Sequence, residues 1–191
     1  MRIVSGFLKG KKINFLKSDT TRPLRDFVKE SIFNVIKHSN LVDVSFENAN
    51  VLDLYSGTGS FGIECISRGA KKTTFVENDK NTLTILKKNI EQLKIEKKSM
   101  IFQTKIFTFL NHLNKINKYD IIFLDPPFEE NLFTEELKII KNSNIFKKKN
   151  IIIIHREDKS KDSLSEIINI ITIKKYGRSK VIFGCFNLDN V

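Results

Sequence analysis

The chain has no tryptophan, two cysteines, three prolines and eight glycines in 191 residues. Cys65 and Cys185 lie far apart and form no C-x-x-C pair, which excludes a disulfide framework and a zinc ribbon. Scarce proline and glycine, beside 40% apolar and 29% charged residues, exclude a disordered chain, a collagen-like repeat and a linker. No apolar run is longer than Ile151–Ile154, far short of the ~20 residues that span a bilayer. The opening residues, MRIVSGFLKGKK, lack the apolar core of a signal peptide. A soluble, cytoplasmic protein with no membrane partner is expected. The length fits one domain with or without an appendage. A chain of this size buries roughly 70% of its unfolded surface and needs neither disulfide nor metal to fold.

Positive charge is abundant. Lys and Arg number 33 against 22 Asp and Glu, a net +11. A basic soluble protein points to a polyanion, usually nucleic acid. Lys far outnumbers Arg in a chain rich in Ile, Asn and Phe, and AT-rich codon drift produces the same bias, so location informs more than the total. Residues 1–40 hold nine basic and three acidic residues, net +6; the remainder is net +5. Over half the excess thus sits in about a fifth of the chain.

Hydrophobic spacing divides the chain at the same place. Arg2–Phe7 and Lys11–Leu16 read as two short strands of a hairpin around Gly10. Leu24, Val28, Ile32, Val35 and Ile36 recur at helical intervals after Pro23, predicting a helix over Leu24–His38 with Arg25 and Lys29 on its polar side near Arg22. Residues 1–40 are therefore read as a nucleic-acid-contacting unit, and 41–191 as a second domain. There strands and helices alternate: Val51–Tyr55, Ser60–Ser67, Lys72–Glu77, Lys80–Leu93, Met100–Thr104, Phe107–Ile116, Tyr119–Leu124, Phe133–Ser143 and Ile151–Ile154. Ile170–Tyr176 and Lys180–Leu188 form a closing antiparallel hairpin. Apolar runs without alternation suit a parallel sheet covered on both faces. The order predicts an α/β, doubly wound, mostly parallel seven-stranded sheet.

Two stretches carry chemistry. In Val51-Leu-Asp53-Leu-Tyr55-Ser-Gly57-Thr-Gly59-Ser-Phe-Gly62, a strand enters a G-x-G-x-x-G turn and then a helix, the geometry in which a backbone approaches a nucleotide closely. A dinucleotide would set its pyrophosphate there. S-adenosylmethionine would instead bring an ammonium, which Asp53 is placed to meet. A buried acid before the first glycine repels a pyrophosphate, which favours the methyl donor without closing the alternative. Glu77, at the next strand end, is expected to take the ribose hydroxyls. Tyr55 and Asn78 are counted with the cofactor site, and Asp79 as the cap of the following helix.

The second stretch is Asp125-Pro126-Pro127-Phe128, after Tyr119–Leu124. An exocyclic amino group is a poor nucleophile because its lone pair is delocalised. The Asp125 carboxylate and the Pro126 carbonyl can accept its two N–H bonds, the two prolines hold the acceptors rigid, and Phe128 offers a stacking face. His38, His112 and His155 form no constellation and are read as structural or surface residues.

With these residues, the chain resembles the RsmD family of 16S ribosomal RNA (guanine-N2)-methyltransferases. The resemblance runs from Arg2-Ile-Val-Ser-Gly6 and Gly10-Lys11-Lys12, through Arg22-Pro23 … Val28-Lys29-Glu30-Ser31-Ile32-Phe33-Asn34, to the glycine loop, Ser67-Arg68-Gly69-Ala70, Glu77 and Asp125–Phe128. It implies a Rossmann-like fold, S-adenosylmethionine as cofactor, and a guanine of 16S rRNA (position 966 in conventional numbering) in the small ribosomal subunit as acceptor. It makes Asp125, Pro126, Pro127 and Phe128 the catalytic turn, and Asp53, Tyr55, Gly57, Gly59, Glu77 and Asn78 the cofactor site. Arg2, Lys11, Lys12, Arg22, Arg25 and Lys29 become the RNA grip. No metal is implied, and a monomer is expected. The chain departs from the family at Leu24-Arg25 and at Gln103-Thr104-Lys105-Ile106, so the adenine contact is left unassigned. Adenine-N6 or a protein glutamine remains an alternative acceptor; a dehydrogenase and a non-catalytic RNA-binding factor are the more distant readings.

Overall fold

The computed structural model describes residues 1–15, 26–39, 43–113, 118–127 and 132–187. Helix α1 is Asp26–His38, followed by β1 Asn50–Leu54, α2 Ser60–Ser67, β2 Lys72–Glu77 and α3 Lys80–Gln92. A short 3-10 turn, Glu96–Lys98, leads to β3 Ser99–Gln103, α4 Ile106–Asn111, β4 Tyr119–Leu124 and α5 Phe133–Ser143. Strands β5 Phe146–Glu157, β6 Asn169–Tyr176 and β7 Ser179–Cys185 complete the sheet. The strand order is β3-β2-β1-β4-β5-β7-β6. The first five strands are parallel, and β7 runs antiparallel between β5 and β6. This is the doubly wound α/β fold expected from the alternation. Among the described residues no helix is long and apolar enough to cross a membrane.

Each face of the sheet carries its own core. Val51, Ile121, Phe123, Ile151, Ile153, Val181 and Phe183 pack against α1 and α2, where Phe61 stacks on Phe123 at 4.0 Å and on Phe33 of α1 at 5.3 Å. Leu52, Leu54, Ile122, Leu124, Ile152, Ile154 and Ile182 pack against α4 and α5. This strict odd–even division is the two-residue period of a strand buried on both sides.

The first fifteen residues depart from the hairpin reading. They hold one isolated antiparallel bridge, Arg2 to Lys12, with turns between. What fixes them is α2. The buried Glu64 carboxylate accepts from Val4 N at 2.8 Å, Ser5 N at 2.9 Å and Arg68 Nε at 2.9 Å. Ser67 Oγ donates to the Ser5 carbonyl and accepts from Leu8 N. Ile3, Leu8 and Ile13 then enter a third core with Ile63, Phe75, Leu83 and Leu86. The segment is thereby joined to the helix that follows the glycine loop.

Strand β5 is longer than the apolar run predicts. It starts at Phe146, where Lys147 pairs with Asp120 at 2.8 Å and Lys149 with Asp43 at 2.6 Å, and it continues through His155 and Arg156. Antiparallel pairing with β7, His155 opposite Val181 and Arg156 opposite Lys180, carries it past the last isoleucine.

Candidate active site

The carboxyl ends of β1, β2, β4 and β5 lie side by side along one edge of the sheet. In open α/β sheets that edge is where ligands bind. From β1 the chain turns sharply: Tyr55, Gly57 and Gly59 all adopt positive φ, at 58°, 55° and 87°. The last is the N-cap of α2. A Cβ on Gly62 would lie 2.4 Å from Phe75 and 2.8 Å from Asp53 Oδ2, so this glycine allows α2 to close on the sheet. A Cβ on Gly57 meets nothing within 4 Å. Its backbone faces open space, the close approach a ligand requires.

Carboxylates hold this loop. Glu77 Oε2 accepts from Gly57 N at 2.9 Å, and its Oε1 accepts from Asn78 N and Asp79 N at 2.8 Å each. Three of its roughly four acceptor positions are thus used by backbone, and one remains for a ligand hydroxyl. Asp79 caps α3, accepting from Thr82 N at 2.8 Å, as expected. Asn78 is exposed beside it. The Tyr55 hydroxyl donates to Glu136 of α5 at 2.7 Å, tying the loop to the opposite layer.

Asp53 requires a correction. It was expected to meet the cofactor's ammonium, but its side chain is fully buried beneath the loop. Oδ2 accepts from Gly62 N at 2.9 Å, and Oδ1 has no partner among the described residues. It faces inward because the odd positions of β1 point under α2. Burial pushes its carboxyl well above the usual range; the Gly62 N–H opposes that, and the carboxylates of Asp125 and Glu77 add to it. The negative charge of Glu77 and Asp125 is thus felt beneath the loop, an environment hostile to a pyrophosphate.

Across the edge, Asp125 follows β4, half-buried, with Pro126 buried and Pro127 exposed. Asp125 Oδ1 lies 2.8 Å from His155 Nδ1. The Pro127 carbonyl accepts from Arg156 Nη1 at 3.1 Å. Asp125 Oδ2 and the Pro126 carbonyl accept no hydrogen bond from any described residue. These are the two acceptors the amino-group chemistry calls for. Phe128 lies outside the described residues.

His155, read from sequence as structural or surface, is thus a site residue, and Arg156 was not singled out at all. The available signal was their place, directly after the apolar core of the strand beside β4.

The basic residues divide. Arg2, Lys11 and Lys12 are exposed, while Arg22 and Arg25 lie outside the described residues. Lys29 does not belong with them: it is fully buried, its Nζ 3.4 Å from the Arg2 carbonyl and 3.5 Å from Asp26. The buried face of α1 runs Val28, Lys29, Ile32, Phe33, Ile36, so Lys29 ties the first segment to the helix. Two features escaped sequence reading. Phe27 is 63% exposed, with its ring edge-on to Tyr176 at 5.3 Å. The β6–β7 turn sits at this same edge, where Asp158 N donates to the Arg178 carbonyl at 2.9 Å.

Comparison with known proteins extends the geometry. A family model described as conserved hypothetical protein 95 matches residues 1–185. The ribosomal RNA small subunit methyltransferase D of Haemophilus influenzae is 35% identical, over 82% of this chain and 79% of that protein. The protein of the same name from Buchnera aphidicola is 30% identical over 100% of this chain and 93% of its own length. Among solved structures, a candidate methylase from Haemophilus influenzae, 28% identical, aligns with a TM-score of 0.79 over 97% of this chain and 98% of the other. A candidate methyltransferase from Escherichia coli, 24% identical, aligns at 0.83 over 98% of each chain and bears on the fold.

Proposed function

The chain belongs to the RsmD family of small-subunit ribosomal RNA methyltransferases, and on that footing we propose that it methylates the N2 amino group of guanine 966 of 16S rRNA, using S-adenosylmethionine and acting as a monomer on the small subunit in the cytoplasm. The observation that carries the reading is the pair of acceptors, Asp125 Oδ2 and the Pro126 carbonyl, that take no hydrogen bond from any described residue, at the end of β4 beside β1, whose loop leaves open space at Gly57.

The residues present fit the donor. Bound, S-adenosylmethionine supplies a methyl group on a positively charged sulfur. Gly57 leaves room for it, Glu77 keeps an acceptor position for a ribose hydroxyl, and Tyr55, Gly59 and Asn78 shape the surrounding loop. Asp53 acts from beneath by holding Gly62. On the acceptor side, Asp125 and Pro126 accept both N–H bonds of the guanine amino group and draw its lone pair out of the ring system. The Asp125 carboxylate is also the nearest base for the proton that the nitrogen sheds. Pro127 fixes the turn, and Phe128 gives the base a face to stack on. Such a base must leave its paired stack to reach the turn. Arg2, Lys11 and Lys12, with Arg22 and Arg25, hold the surrounding RNA backbone.

Incubating the protein with radiolabelled S-adenosylmethionine and undermodified small subunits tests this. One labelled guanine is expected, as N2-methylguanosine after digestion. Absence of label overturns the reading, and label in adenine or in a ribosomal protein changes the acceptor.

A further inference from the structure

Of the acceptors on the Asp125–Pro127 turn, Asp125 Oδ1 and the Pro127 carbonyl are already taken, by two consecutive residues of β5. His155 and Arg156 point to opposite faces of the sheet. His155 lies opposite Val181, which belongs to the α1/α2 core, whereas the Arg156 guanidinium sits 4.3 Å over the Phe133 ring of α5. From one face His155 Nδ1 reaches Asp125 Oδ1 at 2.8 Å; from the other Arg156 Nη1 reaches the Pro127 carbonyl at 3.1 Å. Arg156 is itself fixed, 2% exposed, with Nε and Nη2 on Asp162 at 3.2 and 3.3 Å, and Asp162 takes a further bond from Ser160 Oγ at 2.6 Å.

We propose that His155 and Arg156 are positioning residues that clamp the catalytic turn from both faces of the sheet. They occupy Asp125 Oδ1 and the Pro127 carbonyl, so that Asp125 Oδ2 and the Pro126 carbonyl are presented to the acceptor amine. The inference rests on the amino-group methylation proposed above.

Proline rings fix φ but leave the Asp125 side-chain torsions and the ψ of Pro127 free. A carboxylate free to rotate must be ordered at each turnover. An N–H donor on one oxygen fixes the carboxylate plane and aims the other oxygen. A carboxylate is an acceptor only, so His155 carries its proton on Nδ1. Both neutral and charged imidazole can donate there, so the clamp needs no change of protonation.

The test compares His155→Leu, which removes the donor, with His155→Asn, whose amide nitrogen stands where Nδ1 stood. Misplacement of a reacting group by about 1 Å costs on the order of 10²-fold. His155→Leu is therefore expected to lower kcat on small subunits by about 10- to 100-fold, with the KM for the particle, donor affinity and Tm little changed. His155→Asn is expected to recover most of the loss. Arg156→Lys, which keeps the charge but cannot span both Asp162 and Pro127, is expected to lower kcat and Tm together. Independently of turnover, nitrogen NMR of the wild-type protein at pH 8 is expected to show the Nδ1–H tautomer of His155, and Asp125→Ala to abolish that preference. The clamp is overturned if His155→Leu keeps its kcat, if His155→Asn is as impaired as His155→Leu, or if the wild-type imidazole is the Nε2–H tautomer. If the wild-type protein labels no guanine, the functional reading fails, and the NMR result still decides the clamp.

Discussion

At the ends of β1 and β2, carboxylates hold backbone N–H groups: Asp53 holds Gly62, and Glu77 holds Gly57, Asn78 and Asp79. At the ends of β4 and β5 the polarity is reversed, and two nitrogen-bearing side chains hold a carboxylate and a carbonyl. The first half draws its parts from a single stretch of 27 residues, 53–79, in which a loop folds back on the strands beside it. The second half is assembled across the sheet from Asp125 and Pro127 and from residues 30 and 29 positions later. The difference separates two tasks. In the proposed reaction the first half would shape space and negative charge for a cationic ligand, and the second would orient two acceptors toward a neutral amine. Substitutions in one half should leave the other half's measurement intact.

The largest effect is expected at Asp125. Asp125→Ala removes one acceptor and the group that His155 holds. Loss of a comparable preorganised group costs on the order of 10²- to 10³-fold in kcat, about 3–4 kcal/mol. Single-turnover methylation of small subunits should show that loss, while calorimetric titration with S-adenosylmethionine gives a dissociation constant within about twofold of wild type. An equal loss of donor affinity would mean the two halves are one unit.

Within the first half, the glycines can be set against each other. Gly62→Ala drives a methyl into Phe75, Thr73 and Asp53. Overpacking of this kind costs about 1–3 kcal/mol, seen as a fall in Tm of roughly 2–4 °C per kcal/mol. Gly57→Ala meets no atom but must hold φ near 55°, a strain of about 1–2 kcal/mol, and its methyl enters the ligand's space. Donor affinity should drop about tenfold or more there. If both variants lowered Tm alike and spared donor binding, the open space at Gly57 would not be the ligand's.

The two halves also differ in how readily sequence discloses them. The glycine loop announces itself through spacing, because strand, turn and helix are consecutive and each glycine answers a local steric demand. Asp125-Pro-Pro is equally local. The clamp is not: His155 and Arg156 gain their meaning from register with β4 and β7, which no local pattern states, and the apolar run seemed to end the strand at Ile154. Asp53 and Lys29 failed for a related reason. Residue type suggested a charged group facing a ligand, while the side of β1 and the face of α1 on which they lie turn both inward. The fold itself was largely legible, since βα alternation and unbroken apolar strands admit few arrangements. The first fifteen residues were less so, because Glu64, sixty residues on, substitutes for a strand partner.

A contrast among basic residues tests the RNA-facing side with a smaller effect. Changing Arg2, Lys11 and Lys12 together to Gln should weaken particle binding and flatten its dependence on log salt by about 2, near 0.7 per phosphate contact on single strands. Lys29→Met should leave that slope unchanged and lower Tm, since it releases the Arg2 carbonyl and leaves Asp26 without its ion pair. A reduced slope in Lys29→Met would return that lysine to the RNA surface.

The smallest expected effect on function, and the most direct test of how the first half is built, is at Asp53. Its carboxyl is raised chiefly by burial, so the folded protein holds a proton that the unfolded chain releases. That contribution is fully present below the unfolded value of about 3.9 and is lost as pH rises through the folded value. Above it, an ionised Asp53 works against the fold. Asp53→Asn keeps an oxygen for Gly62 N and cannot ionise. Urea midpoints of the two proteins should therefore coincide near pH 4 and separate as pH rises, with the Asn variant the more stable at pH 8. Donor affinity should change by no more than a few fold, because the side chain reaches the ligand through Gly62 and α2. A stability difference that stays flat with pH would show that Asp53 is not the buried acid described here. A collapse of donor affinity with stability preserved would instead restore the direct carboxylate–ammonium contact that its residue type suggests.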